Sequence, residues 1–342
     1  MKTIDIHTHL LNPYVRFDRL FDRISVRFFA RNLGADPAQL MARPYDAYVE
    51  SMARAVRESR YVEKACLFGV DARLDQHGRE IDRDKTVCAT SEDVLAVAAR
   101  YPDQFIPFFS INPLRPDALE LIDRYIENGC VGAKFLQNYW GVNLNDERFI
   151  PYYEKLKAKN IPLIIHIGSE YSIHSFARYE RIEMLDLPLA NGVTVIAAHM
   201  GLGRINHRLR VWKNLSRNPD SFDADYFRLL EMLKTHANLY GDISAMLSPM
   251  RARALRHLST QHDVHHKILF GTDYPVPFLI RFNSYDLQAS TKRSLCKLSN
   301  PFDRYAAAVL EYFPEGSPIY DNHSKVLLKT ADGRSASVPT SR

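Results

Sequence analysis

Eight short apolar runs, each followed by a stretch long enough for a helix, pace this 342-residue chain. The runs are Thr3–His7, Lys64–Gly69, Phe105–Ile111, Gly132–Leu136, Pro162–Ile167, Val193–His199, Asn238–Ile243 and Lys267–Thr272. Pro-Leu-Ile-Ile-His-Ile at 162–167 lacks a period-two alternation, as strands covered on both faces do. Between the runs lie helical patterns at Tyr45–Arg60, Ser91–Arg100, Pro116–Asn128, Arg148–Lys159 and Asp223–Thr235. Pro116 with Asp117 opens the third of these and Asn128-Gly129 closes it. Strand–helix alternation of this kind specifies an α/β protein with a parallel sheet. Eight units within about 300 residues predict a (β/α)8 TIM barrel rather than an open doubly wound sheet. The first strand is not followed by GxGxxG, which argues against a dinucleotide-binding fold.

The barrel is expected to occupy residues 1–330 as one domain, with a disordered Ser-, Ala- and Arg-rich tail at 331–342. Three insertions stand out: Leu10–Arg43 after strand 1, Asp71–Thr90 after strand 2 and Tyr274–Asn300 after strand 8. All are βα loops, on the face where barrels build their active sites. The net charge of +5 is scattered, and the basic stretches Arg204–Arg217 and Arg251–Arg256 read as solvated helix faces. Neither resembles a nucleic-acid stripe. No apolar run approaches the ~18 residues of a membrane span, and the amino terminus reads as a strand rather than a signal peptide. Cys66, Cys88, Cys130 and Cys296 are widely spaced without CxxC, so free thiols in a reducing cytoplasm are expected. These features point to a small-molecule substrate, with neither nucleic acid nor membrane as partner.

Strand 1 ends in Asp5-Ile6-His7-Thr8-His9. Histidines at i and i+2 on a strand face the same side, so His7 and His9 can converge on one cation. Alone, the pair says little, because such pairs are common in cores and on surfaces. His166, His199 and Asp273, the last within Phe-Gly-Thr-Asp-Tyr-Pro, also stand at or near the ends of their strands. A barrel gathers those ends around one mouth. A single buried His is usually a satisfied core residue and a single Asp a cap, but five such groups at strand ends describe a site.

This set, with His199 inside Ala-Ala-His-Met-Gly and Asp273 inside Gly-Thr-Asp, resembles the amidohydrolase superfamily over about residues 1–330. Within it, the chain is most similar to the amidohydrolase-related branch that includes aminocarboxymuconate-semialdehyde decarboxylase and several lactone hydrolases. The resemblance implies that His7, His9, His166 and Asp273 hold one divalent metal. Zinc is the expected ion, with manganese or iron as alternatives; imidazoles and a carboxylate suit all three. It further implies that His199 acts as the catalytic acid/base and that Asp273 handles a proton as well as binding metal. Lys134, in Gly-Ala-Lys-Phe-Leu, has two readings. In some superfamily members a carboxylated lysine on strand 4 bridges two metals; otherwise Lys134 contacts substrate or pairs with a carboxylate.

Substrate contacts are expected from Tyr139 and Trp140 after strand 4 and from Tyr171 and His174 after strand 5, although packing of their loops is the competing reading. Asp242, at the end of strand 7, either hydrogen-bonds His199 or a ligand, or caps its loop. Arg16, Arg19, Arg23, Arg27 and Arg31 line one side of an amphipathic segment whose other side carries Phe17, Leu20, Phe21 and Phe28. Arg16 is the candidate for a bidentate hold on a substrate carboxylate. The apolar side could dock a second copy and form a homodimer. The expected function is metal-dependent hydrolysis of a lactone, amide or ester through an activated water. The alternative is non-oxidative decarboxylation of an aromatic or muconate-type acid, which requires a cation placed for the carboxylate. A catalytically silent scaffold fits poorly with a complete ligand set.

Overall fold

The computed structural model describes residues 2–14, 30–75, 77–81, 89–171, 173–203, 205–206, 211–212, 218–248, 251, 253–280 and 287–327. All eight expected strands form: β1 (Thr3–His9), β2 (Val62–Phe68), β3 (Phe105–Pro107), β4 (Ala133–Phe135), β5 (Leu163–Ile165), β6 (Val195–Ala197), β7 (Leu239–Asp242) and β8 (Ile268–Leu269). Pairing is parallel throughout, in the orders β1-β2-β3 and β4-β5-β6-β7-β8. Two bridges close the ring. Phe109 pairs with Ala133 between β3 and β4, and Thr8 pairs with Tyr274 between β1 and the segment after β8. At the second seam, Ile6 N donates to Phe270 O (3.0 Å) and Asp273 N to His7 O (2.9 Å). A closed sheet has no edge to protect.

Each strand is followed by a helix: α1 (Pro44–Arg57), α2 (Ser91–Arg100), α3 (Ala118–Glu127), α4 (Ile150–Ala158), α5 (Asp186–Ala190), α6 (Ala224–Thr235), α7 (Ala254–Ser259) and α8 (Pro301–Leu310). Local sequence sets several starts. Thr90 and Asp93 form a reciprocal capping box on α2. Pro301 opens α8, whose Phe302 and Asp303 amides are taken by the Asn300 side chain. Two apolar layers result. Ile6, Cys66, Phe68, Phe108, Ile164, Ile196 and Leu269 fill the barrel interior. A larger layer, including Leu163, Ile165, Val195 and Tyr153, lies between strands and helices.

The insertions carry structure of their own. Pro37–Ala42 is helical in the first, Arg73–Leu74 pairs with Glu80–Ile81 in the second, and Ala289–Lys297 is helical in the third. Arg115 clamps the second insertion, bidentate on Asp71 (2.5 and 2.6 Å) and also bound to Glu80 at 2.5 Å.

Several expectations change. The ladder of β6 is shorter than its apolar run, because the chain turns out of the sheet after Ala197, whereas beyond β3 the run continues in the barrel wall through the Phe109–Ala133 bridge. His199, expected on the end of its strand, lies beyond β6 in a left-handed turn with Met200 (φ 60° and 53°). Arg251 does not share the solvated face read for Arg251–Arg256: it is 4% exposed, in the loop ahead of α7, while Arg256 is exposed. Cys66 and Cys130 are buried free thiols, as expected, and Cys296 is partly buried. Within Arg204–Arg217, expected to be helical, the described residues Ile205–Asn206 and Val211–Trp212 instead pair as antiparallel strands. The rest of that stretch, Arg16, Arg19, Arg23, Arg27, Cys88 and the 331–342 tail lie outside the described residues. Among the described residues no helix is long and apolar enough to cross a membrane.

Candidate metal centre

The β1–β2 register shifts between Asp5 and Thr8, where the barrel-facing role passes from Ile4 and Ile6 to His7 and His9. A local register break of this kind re-aims a side chain. His7 thereby reaches the Phe68 ring (centroids 5.0 Å apart) and the His199 ring (4.9 Å) at the mouth of the barrel. Gly271 admits this approach, since a Cβ there would lie 3.0 Å from the His7 Cβ. Asp5, wholly buried below, accepts from the His7 amide (3.0 Å), the Thr272 amide (3.0 Å) and the Thr272 hydroxyl (2.6 Å). Burial outweighs those bonds and raises its pKa to about 7.

His7, His9 and Asp273 bring one ligand atom each to within 4.8 Å of one another. His7 Nε2 and His9 Nε2 both stand 3.3 Å from Asp273 Oδ1, which has no hydrogen-bond partner among the described residues. Asp273 occupies the left-handed region (φ 67°), the kind of conformation that persists where surrounding structure enforces it. Burial opposes ionisation of Asp273, yet contact with His9 and His7 and the charge of Arg251 hold its pKa below the ordinary value. A buried carboxylate oxygen facing two imidazole nitrogens, with no hydrogen-bond partner among the described residues, is the donor arrangement a divalent cation takes.

Asp242 orders the histidines. It accepts from His7 Nδ1 (2.8 Å), the His199 amide (3.0 Å), the Ser244 amide (3.0 Å) and the Ser244 hydroxyl. Burial would raise its pKa, but the charge and hydrogen bond of His7 and the other donors bring it down to about 2. Asp242 is thus a carboxylate and fixes the His7 proton on Nδ1, leaving the Nε2 lone pair toward Asp273. Burial, then the Lys134 charge, lowers His7 to about 4. His166 and His199 also lie well below the usual imidazole value, first through burial and then through Lys134 and Arg251 respectively. All three rings are therefore neutral near pH 7, the form that binds metal. Asp242→Asn should weaken metal affinity by about 10–100-fold, read by chelator competition; an unchanged affinity would reduce Asp242 to a scaffold role.

His199 completes the cluster. Its Nδ1 faces the Ser244 hydroxyl (2.9 Å) and carbonyl (3.2 Å) and lies 4.0 Å from Asp273 Oδ2. His166 stands beside His199 (ring centroids 4.8 Å) but outside the tight trio. Its Nε2 is 3.1 Å from the Gly168 carbonyl and its Nδ1 3.8 Å from Glu170. Lys134 is fully buried, with Nζ 3.3 Å from His7 Nε2 and 5.3 Å from the Phe68 ring centre.

The residues expected to touch substrate divide. Trp140 is buried, donates Nε1–H to Asp71 O (2.8 Å) and packs edge-on against Phe135. Tyr139 is buried beside it. Tyr171 is 44% exposed, with its hydroxyl on Gly203 O (2.6 Å), and the exposed His174 packs edge-on against Phe176. Two residues escaped sequence reasoning. Ser244, two positions beyond Asp242, ties His199 to that carboxylate; its place after the strand-7 apolar run was the available signal. Arg251 is the other: buried, with one 3.4 Å contact from Nη2 to Ser169 O and no partner for Nε among the described residues. Its charge bears on His166, His199 and Asp273. Nothing local in a run of three arginines distinguishes the one that turns inward.

Known proteins share the family and the fold of this chain. The family model described as amidohydrolase matches residues 4–288. An uncharacterized TIM-barrel protein from Bordetella bronchiseptica is 19% identical, with a TM-score of 0.53 over 90% of this chain and 99% of its own. A candidate 2-pyrone-4,6-dicarboxylic acid hydrolase from Pseudomonas putida is 12% identical, with a TM-score of 0.54 over 95% and 97% of the two chains. An amidohydrolase from Burkholderia multivorans with bound HEPES is 13% identical, with a TM-score of 0.50 over 91% and 99%. No curated protein matches the chain.

Proposed function

The chain belongs to the amidohydrolase family, and from that premise we propose a metal-dependent hydrolase of a small, carboxylate-bearing lactone, amide or ester. The reading rests on one observation: His7 and His9 Nε2 converge on an Asp273 oxygen that has no hydrogen-bond partner among the described residues. His7, His9 and Asp273 would hold the ion, with His166 as a fourth ligand; zinc suits this donor set and manganese or iron also fit it. When bound, the cation supplies Lewis acidity to water and to the scissile carbonyl.

The chain's own residues do the rest. Asp242 keeps the His7 proton on Nδ1, so Nε2 stays a donor of electrons. Ser244 occupies His199 Nδ1, which leaves Nε2 of that ring as the atom open to a substrate proton. A neutral His199 can accept a proton and return it to the leaving group. Arg251 offers a buried guanidinium for a substrate carboxylate, and Lys134 adds a second positive charge beside His7. Lys134 is assigned here to substrate or to the Asp273 side of the site rather than to a bridge between two ions.

Arg251 also favours the second reading, decarboxylation of an aromatic or muconate-type acid, because that reaction needs a cation near the carboxylate. Metal-loaded protein assayed on carboxylated lactones and on hydroxybenzoates separates the two: ring opening without CO2 supports hydrolysis, and CO2 release supports the alternative. No turnover of either class by protein carrying stoichiometric metal would sink both. With an active carboxylate substrate, Arg251→Met should raise KM by about 10–100-fold, the loss of a charge-assisted hydrogen bond, and leave an uncharged ester unaffected. Equal effects on both substrates would remove Arg251 from carboxylate binding.

A further inference from the structure

A second concave site lies between the first and eighth βα loops and shares no lining residue with the histidine cluster. Its walls are residues 30–35, the end of α1 and residues 296–304, around a groove of about 530 Å³. Among the described residues, Arg31, Arg54, Lys297 and Arg304 line it against one carboxylate, Glu58. Arg304 is only 6% exposed; its Nη1 donates to Leu298 O (3.3 Å), and its Nη2 has no hydrogen-bond partner among the described residues. Arg54 and Arg31 are exposed, and each reaches a backbone carbonyl on the facing wall: Gly34 O at 3.1 Å and Cys296 O at 3.3 Å. The α8 amides are not part of the site, because Asn300 has already taken them.

A guanidinium buried without a counter-charge is costly, and crowding further cations around it adds repulsion. Burial and the neighbouring Arg31 already depress the pKa of Arg304. An anion relieves both terms. Guanidinium forks match the oxygens of a phosphoryl group, and the groove falls within the size range of pockets for small organic ligands. We propose that this groove binds a small phosphate-bearing anion, with Arg304 at its base and Arg31, Arg54 and Lys297 around its rim.

The position gives the site a route to the catalytic mouth. The Tyr274 hydroxyl donates to Leu33 O (3.0 Å), which joins the first loop to the residue after Asp273. The Arg304 guanidinium covers Phe278 in the same eighth loop at 5.1 Å. An anion in the groove would brace the two loops that begin at His9 and Asp273.

The test is calorimetric titration of inorganic phosphate into the full chain at constant ionic strength, in wild type, in an Arg31→Glu/Lys297→Glu variant and in His9→Ala. Saturable one-site binding is expected in wild type and His9→Ala, weakened about tenfold or more by the double charge reversal. Absence of saturable binding to wild type overturns the proposal. So does phosphate binding that survives charge reversal, or that disappears in His9→Ala and so belongs to the metal centre. A thermal melt checks that the reversed variant folds. Should it not, Lys297→Gln takes its place, and an affinity equal to wild type then counts against the site.

Discussion

Asp273→Asn is expected to abolish measurable turnover and to cut metal retention by more than about a hundredfold, beyond the loss typical of a supporting residue. The substitution keeps the shape of the side chain and replaces the carboxylate whose Oδ1 lies 3.3 Å from two imidazole nitrogens with an amide that no longer carries charge. Asn is also among the few residues that tolerate the left-handed backbone found here (φ 67°), so the loop should keep its course. Elemental mass spectrometry on protein purified without chelator or added metal gives the readout. Near one equivalent of zinc, manganese or iron is expected in wild type and little in the variant. Equal metal content and equal rates in both would dismiss Asp273 as a ligand.

His199→Asn should behave in the opposite way toward the ion. Metal content stays near that of wild type, while turnover falls by about 10²–10⁴-fold, the range for losing a positioned acid/base. The ring stands against Ser244 and is 4.0 Å from Asp273 Oδ2, outside the trio that converges on Oδ1. Asn again suits the backbone, which has φ 60° at this residue. Loss of metal together with activity would make His199 a ligand and would return Lys134, 3.3 Å from His7, to a bridging role between two ions.

Much of this architecture was legible in the sequence because its signals are local. Each of the eight apolar runs became a strand, and capping residues such as Thr90 and Asn300 set helix starts that a reader can find by spacing alone. Strand ends were less legible, since hydrophobicity continues through turns that leave the ladder, as it does from Ala197 to Met200. His7, His9 and Asp273 could be anticipated as a group, because a barrel brings strand ends together whatever their separation in the chain. The bond from Asp242 to His199 was among its expected roles, but its bond to His7 was not, and Ser244 was not singled out at all.

Sequence alone determined the number and order of βα units, the mouth on which the polar residues gather, and the donor types available to a cation. Those properties follow from side-chain periodicity and composition, which are carried by neighbours along the chain. Tertiary structure decided the rest: the register shift that turns His7 toward the axis, and the four donors that make Asp242 the anchor of both His7 and His199. It also decided that Arg251 is buried beside the site while Arg256 is exposed, and that Arg304 lies with three other cations at the seam of the first and eighth loops. The charge of a residue is written in the chain, but its cost and its use depend on burial and on partners that only the closed barrel brings within reach.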